Sequence, residues 1–213
     1  MGFKHLRQIV PVEEFDYQLL MSNLAEYSNK RDVITRLLRS EKILRIKKGI
    51  YSFGPDYRKG LLCKEVIANQ IYGPSYISFE YALSFYGMIP ERVETLTSAT
   101  TGRSRQFNTP IGSFSYRHLP IEKYAAGVTL KQLDDYHSVF IATPEKALLD
   151  QVLFSKGLSE KIDLKQYFED DLRIDNQSLE VLSIIQLIEI AGLYSSKRVN
   201  RAVKYIKELQ NHA

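Results

Sequence analysis

The clearest hydrophobic pattern lies in residues 28–53, where a helical period gives way to a strand period. In SNKRDVITRLLRSEK the apolar residues recur at helical spacing, which predicts an amphipathic helix with one buried stripe. That stripe consists of Val33, Ile34, Leu37 and Leu38. Ser28 or Asn29 is expected to cap the start of the helix. Thr35, Arg36 and Arg39 are then expected to face outward.

The tract that follows, ILRIKKGIYSF (residues 43–53), alternates with a period of two, as a pair of strands requires. Lys48 and Gly49 are predicted to form the tip. The expected register pairs Ile46 with Tyr51 and Leu44 with Phe53 on one face. Arg45 and Lys47 would then point to the opposite face, toward solvent or phosphate. A basic helix followed by a basic hairpin is typical of a winged helix that binds nucleic acid.

Charge strengthens this interpretation. Residues 30–48 contain eight Lys and Arg against two acidic residues, although the whole chain carries only +4. Focused positive charge favours a phosphate partner, here double-stranded DNA. The candidate DNA-binding residues are Lys30, Arg31, Thr35, Arg36, Arg39, Arg45, Lys47 and Lys48. We expect Arg36 and Arg39 to contact bases in the major groove. A solvated helix and hairpin would carry the same residues, and that alternative stays open.

Composition limits the other functional classes. The chain has 213 residues, 44% of them hydrophobic, which is enough for one large or two small cores. No continuous apolar run long enough for a membrane span and no secretory leader is seen, so we expect a cytoplasmic protein without a membrane partner. The single cysteine, Cys63, excludes an internal disulfide and a multi-cysteine zinc site. We expect it to be a small buried hydrophobe, and we expect no cofactor.

The segment GPDYRKG (residues 54–60) marks a change of character and predicts two domains, a winged helix at 1–58 and a mixed α/β domain at 59–213. The expected fold class is α+β, ending in helices. Residues 94–100 and 112–120 are predicted to form an antiparallel strand pair joined by the polar loop TGRSRQFNTP, and residues 138–143 a buried strand. Thr143 and Pro144 mark a helix start. Residues 178–194 are predicted to form one buried helix closed by Gly192, and residues 195–210 an amphipathic one.

Two further basic features lie in the C-terminal half. Arg103 and Arg105 lie in a loop whose donors could hold a phosphate, although a plain turn has the same composition. The last helix carries Lys197, Arg198, Arg201 and Lys204 on its polar face, where a solvated surface is the simpler interpretation. These six residues are candidates for a second nucleic-acid or partner surface.

Enzymatic function receives little support from the sequence. The acidic positions 134–135, 145 and 170–171 could in principle belong to a metal-dependent nuclease, but each is also explained by a helix start or a loop. The chain contains no phosphate-binding glycine loop, dinucleotide fingerprint or nucleophile elbow. We therefore expect no catalytic residues and no metal ligands, with an interaction module as the other non-enzymatic alternative.

Several separated motifs resemble those of the AbiEi-type antitoxins and transcriptional regulators of type IV toxin–antitoxin systems. In chain order they are RIKKGIY, YISFEYALSFYG, TSATTGRSRQF and ATPEKALLD. Many members of that family have a glycine-containing turn before the recognition helix, whereas here residues 27–29 must form it. The resemblance spans most of the chain, and several motifs in one order are more specific than any single motif.

The resemblance implies an antitoxin with two roles. In that family the N-terminal winged helix binds and represses its own promoter, and the C-terminal domain opposes a nucleotidyltransferase-like toxin without needing a stable complex. A repressor linked to abortive infection is therefore expected, with the direct toxin complex left open. Nothing in the sequence identifies the operator, the oligomeric state or the target of the toxin.

Overall fold

The computed structural model describes residues 3–155 and 163–212 and has an α+β fold built around two hydrophobic cores. The smaller core draws on residues 6–53 and the larger one on residues 46–206. We use the names N-terminal unit for residues 3–58 and C-terminal unit for the described residues from 59 onward. No helix within the described ranges is both long and apolar enough to cross a bilayer.

The N-terminal unit is a small three-stranded sheet with helices against it. Its elements are α1 (Phe3–Ile9), β1 (Glu14–Asp16), α2 (Tyr17–Ser22), α3 (Lys30–Arg39), β2 (Ile43–Lys47) and β3 (Ile50–Phe53). The strand order is β1-β3-β2, and both pairings are antiparallel. Leu20, Leu37 and Phe53 are buried in the core between sheet and helices. The predicted helix and hairpin at residues 30–53 are confirmed as secondary structure.

The C-terminal unit is built on a six-stranded mixed sheet. After a 3₁₀ turn (Pro55–Tyr57), its elements up to the last strand are α4 (Lys64–Ile71), β4 (Ser75–Ile77), α5 (Phe79–Phe85), β5 (Leu96–Thr100), β6 (Arg105–Thr109), β7 (Gly112–His118), α6 (Ile121–Tyr124), β8 (Val128–Gln132) and β9 (Ser138–Ala142). The strand order is β6-β7-β5-β4-β9-β8. The β4–β9 and β5–β7 pairs are parallel and the others antiparallel.

The predicted antiparallel pairing of residues 94–100 with residues 112–120 is wrong. These two strands, β5 and β7, lie side by side but run parallel. The intervening segment is not a plain loop, because Arg105–Thr109 forms the edge strand β6 and pairs antiparallel with β7. The chain passes over the position of β7 and returns to it through the turn at Gly112, which has a positive φ of 136°.

The helices of the C-terminal half are α7 (Pro144–Phe154), α8 (Leu164–Gln166), which runs into a π-helical turn (Tyr167–Asp171), then α9 (Asn176–Glu180), α10 (Ile184–Tyr194) and α11 (Lys197–His212). Thr143 caps α7 as predicted, because its hydroxyl accepts the amide of Lys146 at 3.3 Å. The single helix predicted at 178–194 is wrong. Ser183 interrupts it and caps α10, and Gly192 lies inside that helix.

Cys63 also differs from expectation. It is half-buried at the N-cap position of α4 and not inside the helix. Its sulfur lies 3.6 Å from a carboxylate oxygen of Glu65. Burial, more than the neighbouring carboxylates, raises the pKa of this thiol to about 12. The thiol therefore stays protonated near neutral pH and is a poor nucleophile.

A buried ion pair organises the centre of the larger core. Lys146 and Asp150 are both inaccessible to solvent, one turn apart on α7, with 3.4 Å between their charged groups. The hydroxyls of Tyr76 and Ser78 donate to Asp150 at 2.9 and 2.7 Å, and Tyr194 donates to its other oxygen. Burial lowers the pKa of Lys146, although the charge of Asp150 opposes this. The network ties β4, α7 and α10 together.

We expect Asp150→Ala to lower the free energy of unfolding by about 3–5 kcal/mol, because it leaves a buried ammonium without its counter-charge. Adding Lys146→Met in the same chain should recover part of that loss, since no charge then remains buried. Urea denaturation measures both. Asp170→Ala, at an exposed turn, is the control and should change stability by no more than about 0.5 kcal/mol. Similar losses at positions 150 and 170 would contradict this account of the core.

Candidate nucleic-acid interface

Helix α3 separates its apolar and basic residues as the sequence predicts. Asn29 caps it by accepting the amide of Asp32 at 3.4 Å. Val33, Ile34 and Leu37 are buried and Leu38 is half-buried. The residues of the opposite face that are exposed are Arg31, Thr35, Arg36 and Arg39, while Lys30 is half-buried. The predicted inner and outer faces of this helix are confirmed.

The outward arginines of α3 are available for a ligand. Within the described residues, no carboxylate lies within ion-pair distance of Arg31, Arg36 or Arg39. Thr35 differs, because its hydroxyl donates to the carbonyl of Arg31 at 3.0 Å. The guanidinium groups are thus unpaired on one exposed face, which is the arrangement needed for bidentate hydrogen bonds to phosphate or guanine.

The β2–β3 hairpin keeps its predicted tip but not its predicted register. Gly49 turns the chain at a positive φ of 92°. The observed partners across the ladder are Ile43 with Phe53, Leu44 with Ser52, Arg45 with Tyr51 and Lys47 with Ile50. A bulge between Arg45 and Lys47 leaves Ile46 without a partner in the ladder. The expected pairs are therefore wrong by one position.

The physical reason for the different register is that both faces of β3 are covered. All four of its residues are buried. Tyr51 and Phe53 belong to the smaller core, whereas Ile50 belongs to the larger core together with Ile46 of β2. The alternating pattern of residues 43–53 predicts that one face of the hairpin meets solvent or phosphate. That face packs largely on the C-terminal unit.

Lys47 is consequently not an exposed cation. It is half-buried, donates to the carbonyl of Ile71, and places its ammonium 4.3 Å from the ring centroid of Phe107. Burial, and after it the charge of Arg105, lower the pKa of Lys47. The predicted orientation of Lys47 toward solvent or phosphate is wrong, because the side chain lies at the junction of the two units. Arg45 and Lys48 remain exposed.

The six cations predicted as a second surface fall into two groups. Arg103 is exposed in the turn before β6 and Arg105 is exposed at the first position of β6, and the guanidinium of Arg105 lies 5.4 Å from the centroid of Tyr72. The other four lie on α11, which packs against α7, α9 and α10. These four are Lys197, Arg198, Arg201 and Lys204. The structure therefore does not unite the six as one continuous site.

The cations of α11 contact other groups of the protein. Arg198 donates to the carbonyls of Leu153 and Ser155 at the end of α7. Lys204 lies 3.6 Å from Glu208 one turn later. Lys197 is exposed and Arg201 half-exposed. Because Arg198 is held by backbone carbonyls, this face has fewer available cations than its sequence suggests.

The acidic positions considered for a nuclease are dispersed. Asp134 accepts two backbone amides and contacts His137, and Glu145 accepts the amide of Ser183 at 2.9 Å. Asp170 and Asp171 are exposed at the π-helical turn. Among residues 3–155 and 163–212, no group of three or more His, Cys, Asp or Glu side chains is arranged to hold a metal ion.

A second contact between the units involves His137 and was not visible in the sequence. The Nε2 atom of His137 lies 2.7 Å from a carboxylate oxygen of Glu14 on β1, and its Nδ1 atom 2.6 Å from Asp134. Glu14 is buried, and its other oxygen accepts the amide of Cys63 at 3.3 Å. Glu14 and His137 are far apart in the chain, so no local pattern could have paired them.

Comparisons with known proteins bear on the fold only. No family model matches the chain, and no curated protein matches it. Among solved structures, the fold is similar to that of the RV2827C protein from Mycobacterium tuberculosis, with a TM-score of 0.56 and 14% sequence identity. The match covers 98% of this chain and 79% of that one. The likeness supports the mixed α+β architecture along nearly the whole length.

The contact at His137 predicts a dependence of stability on pH. Burial alone would lower the pKa of His137, but hydrogen bonding to Asp134 and the charges of Glu14 and Asp134 raise it above 6.5. Stability from this contact is then complete below pH 6.5 and is lost as pH rises through the raised pKa. Burial also raises the pKa of Glu14 above 4.5, which acts in the same direction.

We therefore expect His137→Gln to flatten the fall in unfolding free energy above pH 6.5. Chemical denaturation over a pH series measures the slope. His212→Gln, at the exposed end of α11, is the matched control and should keep the slope of the unmodified protein. Parallel curves for the unmodified protein and His137→Gln would contradict an ionic contact at this position.

Proposed function

We propose that the N-terminal unit is a winged helix that binds promoter DNA, and that the protein is an autorepressing antitoxin of the AbiEi type. The observation that carries the proposal is the unpaired basic face of α3 next to a three-stranded sheet. The element order from α1 to β3 and the strand order β1-β3-β2 agree with a winged helix, in which the third helix is the recognition helix.

In this proposal α3 enters the major groove. Arg36 and Arg39 reach the base edges, where a guanidinium can donate two hydrogen bonds to guanine. Arg31 and Lys30, at the start of the helix, approach the backbone, where the helix dipole also favours phosphate. Arg45 and Lys48 of the hairpin contact phosphates. Lys47 has no direct role, because its ammonium is engaged at the junction.

The antitoxin role is proposed for the C-terminal unit, on the basis of the motif resemblance. Key residues of those motifs have internal positions: Tyr76 and Ser78 of YISFEYALSFYG, and Lys146 and Asp150 of TPEKALLD, meet in the buried network. Such motifs specify a shared core and not a reactive centre. We therefore infer that the unit counteracts a nucleotidyltransferase-like toxin through its surface, without chemistry of its own.

The decisive measurement is binding to the DNA directly upstream of the protein's own gene, titrated against salt and against a scrambled duplex of equal length. We expect selective binding that weakens steeply as salt rises. Arg36→Ala or Arg39→Ala should each cost about 1–3 kcal/mol on the operator and reduce selectivity. Lys48→Ala should weaken both duplexes alike. Equal binding of the unmodified protein to both duplexes would refute the proposed promoter recognition.

A second prediction separates repression from antitoxicity. Deleting the N-terminal unit is unsuitable, because Ile46 and Ile50 belong to the larger core. The double variant Arg36→Ala, Arg39→Ala alters only exposed side chains and should leave the fold intact. We expect it to derepress a promoter reporter while still protecting cells that express the adjacent toxin gene. Loss of protection at an unchanged protein level would contradict an antitoxin function located in the C-terminal unit.

A further inference from the structure

The hairpin β2–β3 and the strand β6 are held together at one point. Lys47 donates to the carbonyl of Ile71 and lies over the ring of Phe107 on β6. Ile46 and Ile50 are buried in the larger core. The tip of the hairpin is thus fixed against the edge of the six-stranded sheet.

The ring of Tyr72, the residue after Ile71, packs against the basic turn that precedes β6. The Arg105 guanidinium lies 5.4 Å from the Tyr72 centroid, and the Tyr72 and Phe107 centroids are 5.8 Å apart. Gly102 approaches the same ring so closely that an added Cβ would lie 2.6 Å from the Tyr72 hydroxyl. The turn that contains Arg103 therefore packs on Tyr72. The carbonyl of the preceding residue, Ile71, accepts the hydrogen bond from Lys47 of the hairpin.

Three cations lie on the elements joined by this packing, and we call them the junction surface: Lys48 at the hairpin tip, Arg103 in the turn before β6 and Arg105 at the start of β6. All three are exposed. Among the described residues none of them has a carboxylate within ion-pair distance. Burial, and after it the charge of Arg105, lower the pKa of Lys47, because the two cations lie against the adjacent rings of Phe107 and Tyr72. Neighbouring like charges repel one another, and an anionic ligand relieves that repulsion.

A plainer explanation exists for part of this pattern. Strand β6 is the edge of the sheet, and charged side chains on an edge protect against pairing with other chains. Edge protection does not require the basic turn to lie beside the hairpin tip. It also does not favour two arginines without an acidic partner. Because the basic turn lies beside the hairpin tip, a ligand that contacts both must be extended. An extended polyanion has that shape.

We infer that Arg103 and Arg105 bind the DNA backbone next to the hairpin, so that the DNA-binding surface extends from the N-terminal unit onto the C-terminal unit. This inference rests on the proposed function. The contacts are to phosphates and carry no sequence information. They lengthen the bound segment on the side of the hairpin, and they make the C-terminal unit part of the repressor.

The test compares the full-length protein with the double variant Arg103→Gln, Arg105→Gln, using the operator and a scrambled duplex over a salt series. Each lost phosphate contact reduces the slope of log K against log salt by about 0.9, or about eightfold in affinity at about 0.1 M salt. We expect a slope smaller by about 1.8, an equal loss on both duplexes, and hydroxyl-radical protection lost at one end of the site.

The control variant, Lys165→Gln with Lys207→Gln, removes the same charge from exposed positions on α8 and α11. It should keep the slope and the footprint of the unmodified protein. An equal loss in this control would overturn the inference, because net charge alone would then explain the effect. An unchanged slope and footprint in a folded Arg103→Gln, Arg105→Gln variant would also overturn it and leave edge protection as the role of these arginines. If that variant binds normally while Arg36→Ala does not, only this inference fails; if the unmodified protein shows no selectivity, the proposed function fails.

Discussion

The β2–β3 hairpin is the part of the structure on which the rest depends, because both faces of its strand β3 are buried. One face, with Tyr51 and Phe53, closes the smaller core beneath α3, and the other, with Ile46 and Ile50, packs into the larger core. The bulge between Arg45 and Lys47 makes this compatible with a strand that is only half apolar. An isolated two-stranded hairpin is marginally stable in water, so burial on both sides fixes its geometry. The orientation of α3 relative to the six-stranded sheet follows from that geometry.

Fixing the hairpin between two cores also redistributes the positive charge. Lys47 is withdrawn into the junction, where a carbonyl and an aromatic ring replace its hydration. The contact of Glu14 with His137 closes the same interface at another point and places a buried carboxylate beside an imidazole. Several cations around this junction remain exposed, on α3, at the hairpin tip, in the turn before β6 and at the start of β6. In the proposed DNA complex, the main chain of α3 and of the hairpin is already held by two cores, so ordering costs mainly the rotamer freedom of the exposed Arg and Lys side chains.

The sequence predicted the elements whose determinants are local. The cap at Asn29, the buried stripe of α3 and the start of α7 at Thr143 each depend on residues within one or two turns, and all are confirmed. The errors arose where distant partners decide. Residues 105–109 are polar and resemble a loop, yet form a strand because β7 offers hydrogen-bonding partners. The hairpin register shifted because the C-terminal unit covers its outer face. The pairing of Glu14 with His137 depends on tertiary structure alone, and the break at Ser183 shows that a continuous apolar run can still contain a cap.

Four of the motif residues stabilise the fold and do not form a binding surface. Lys146, Asp150, Tyr76 and Ser78 satisfy one another inside the protein, so a change at any one leaves a buried charge or hydroxyl without a partner. Such a network strongly restricts which amino acids its own positions accept. It places little restriction on the amino acids at the surface. The fold likeness at 14% identity shows that this architecture tolerates wide divergence in sequence. The residues that decide what this protein binds must therefore be sought outside this buried network. On the described surface, the unpaired arginines of α3 meet that requirement directly, because removing them leaves both cores unchanged.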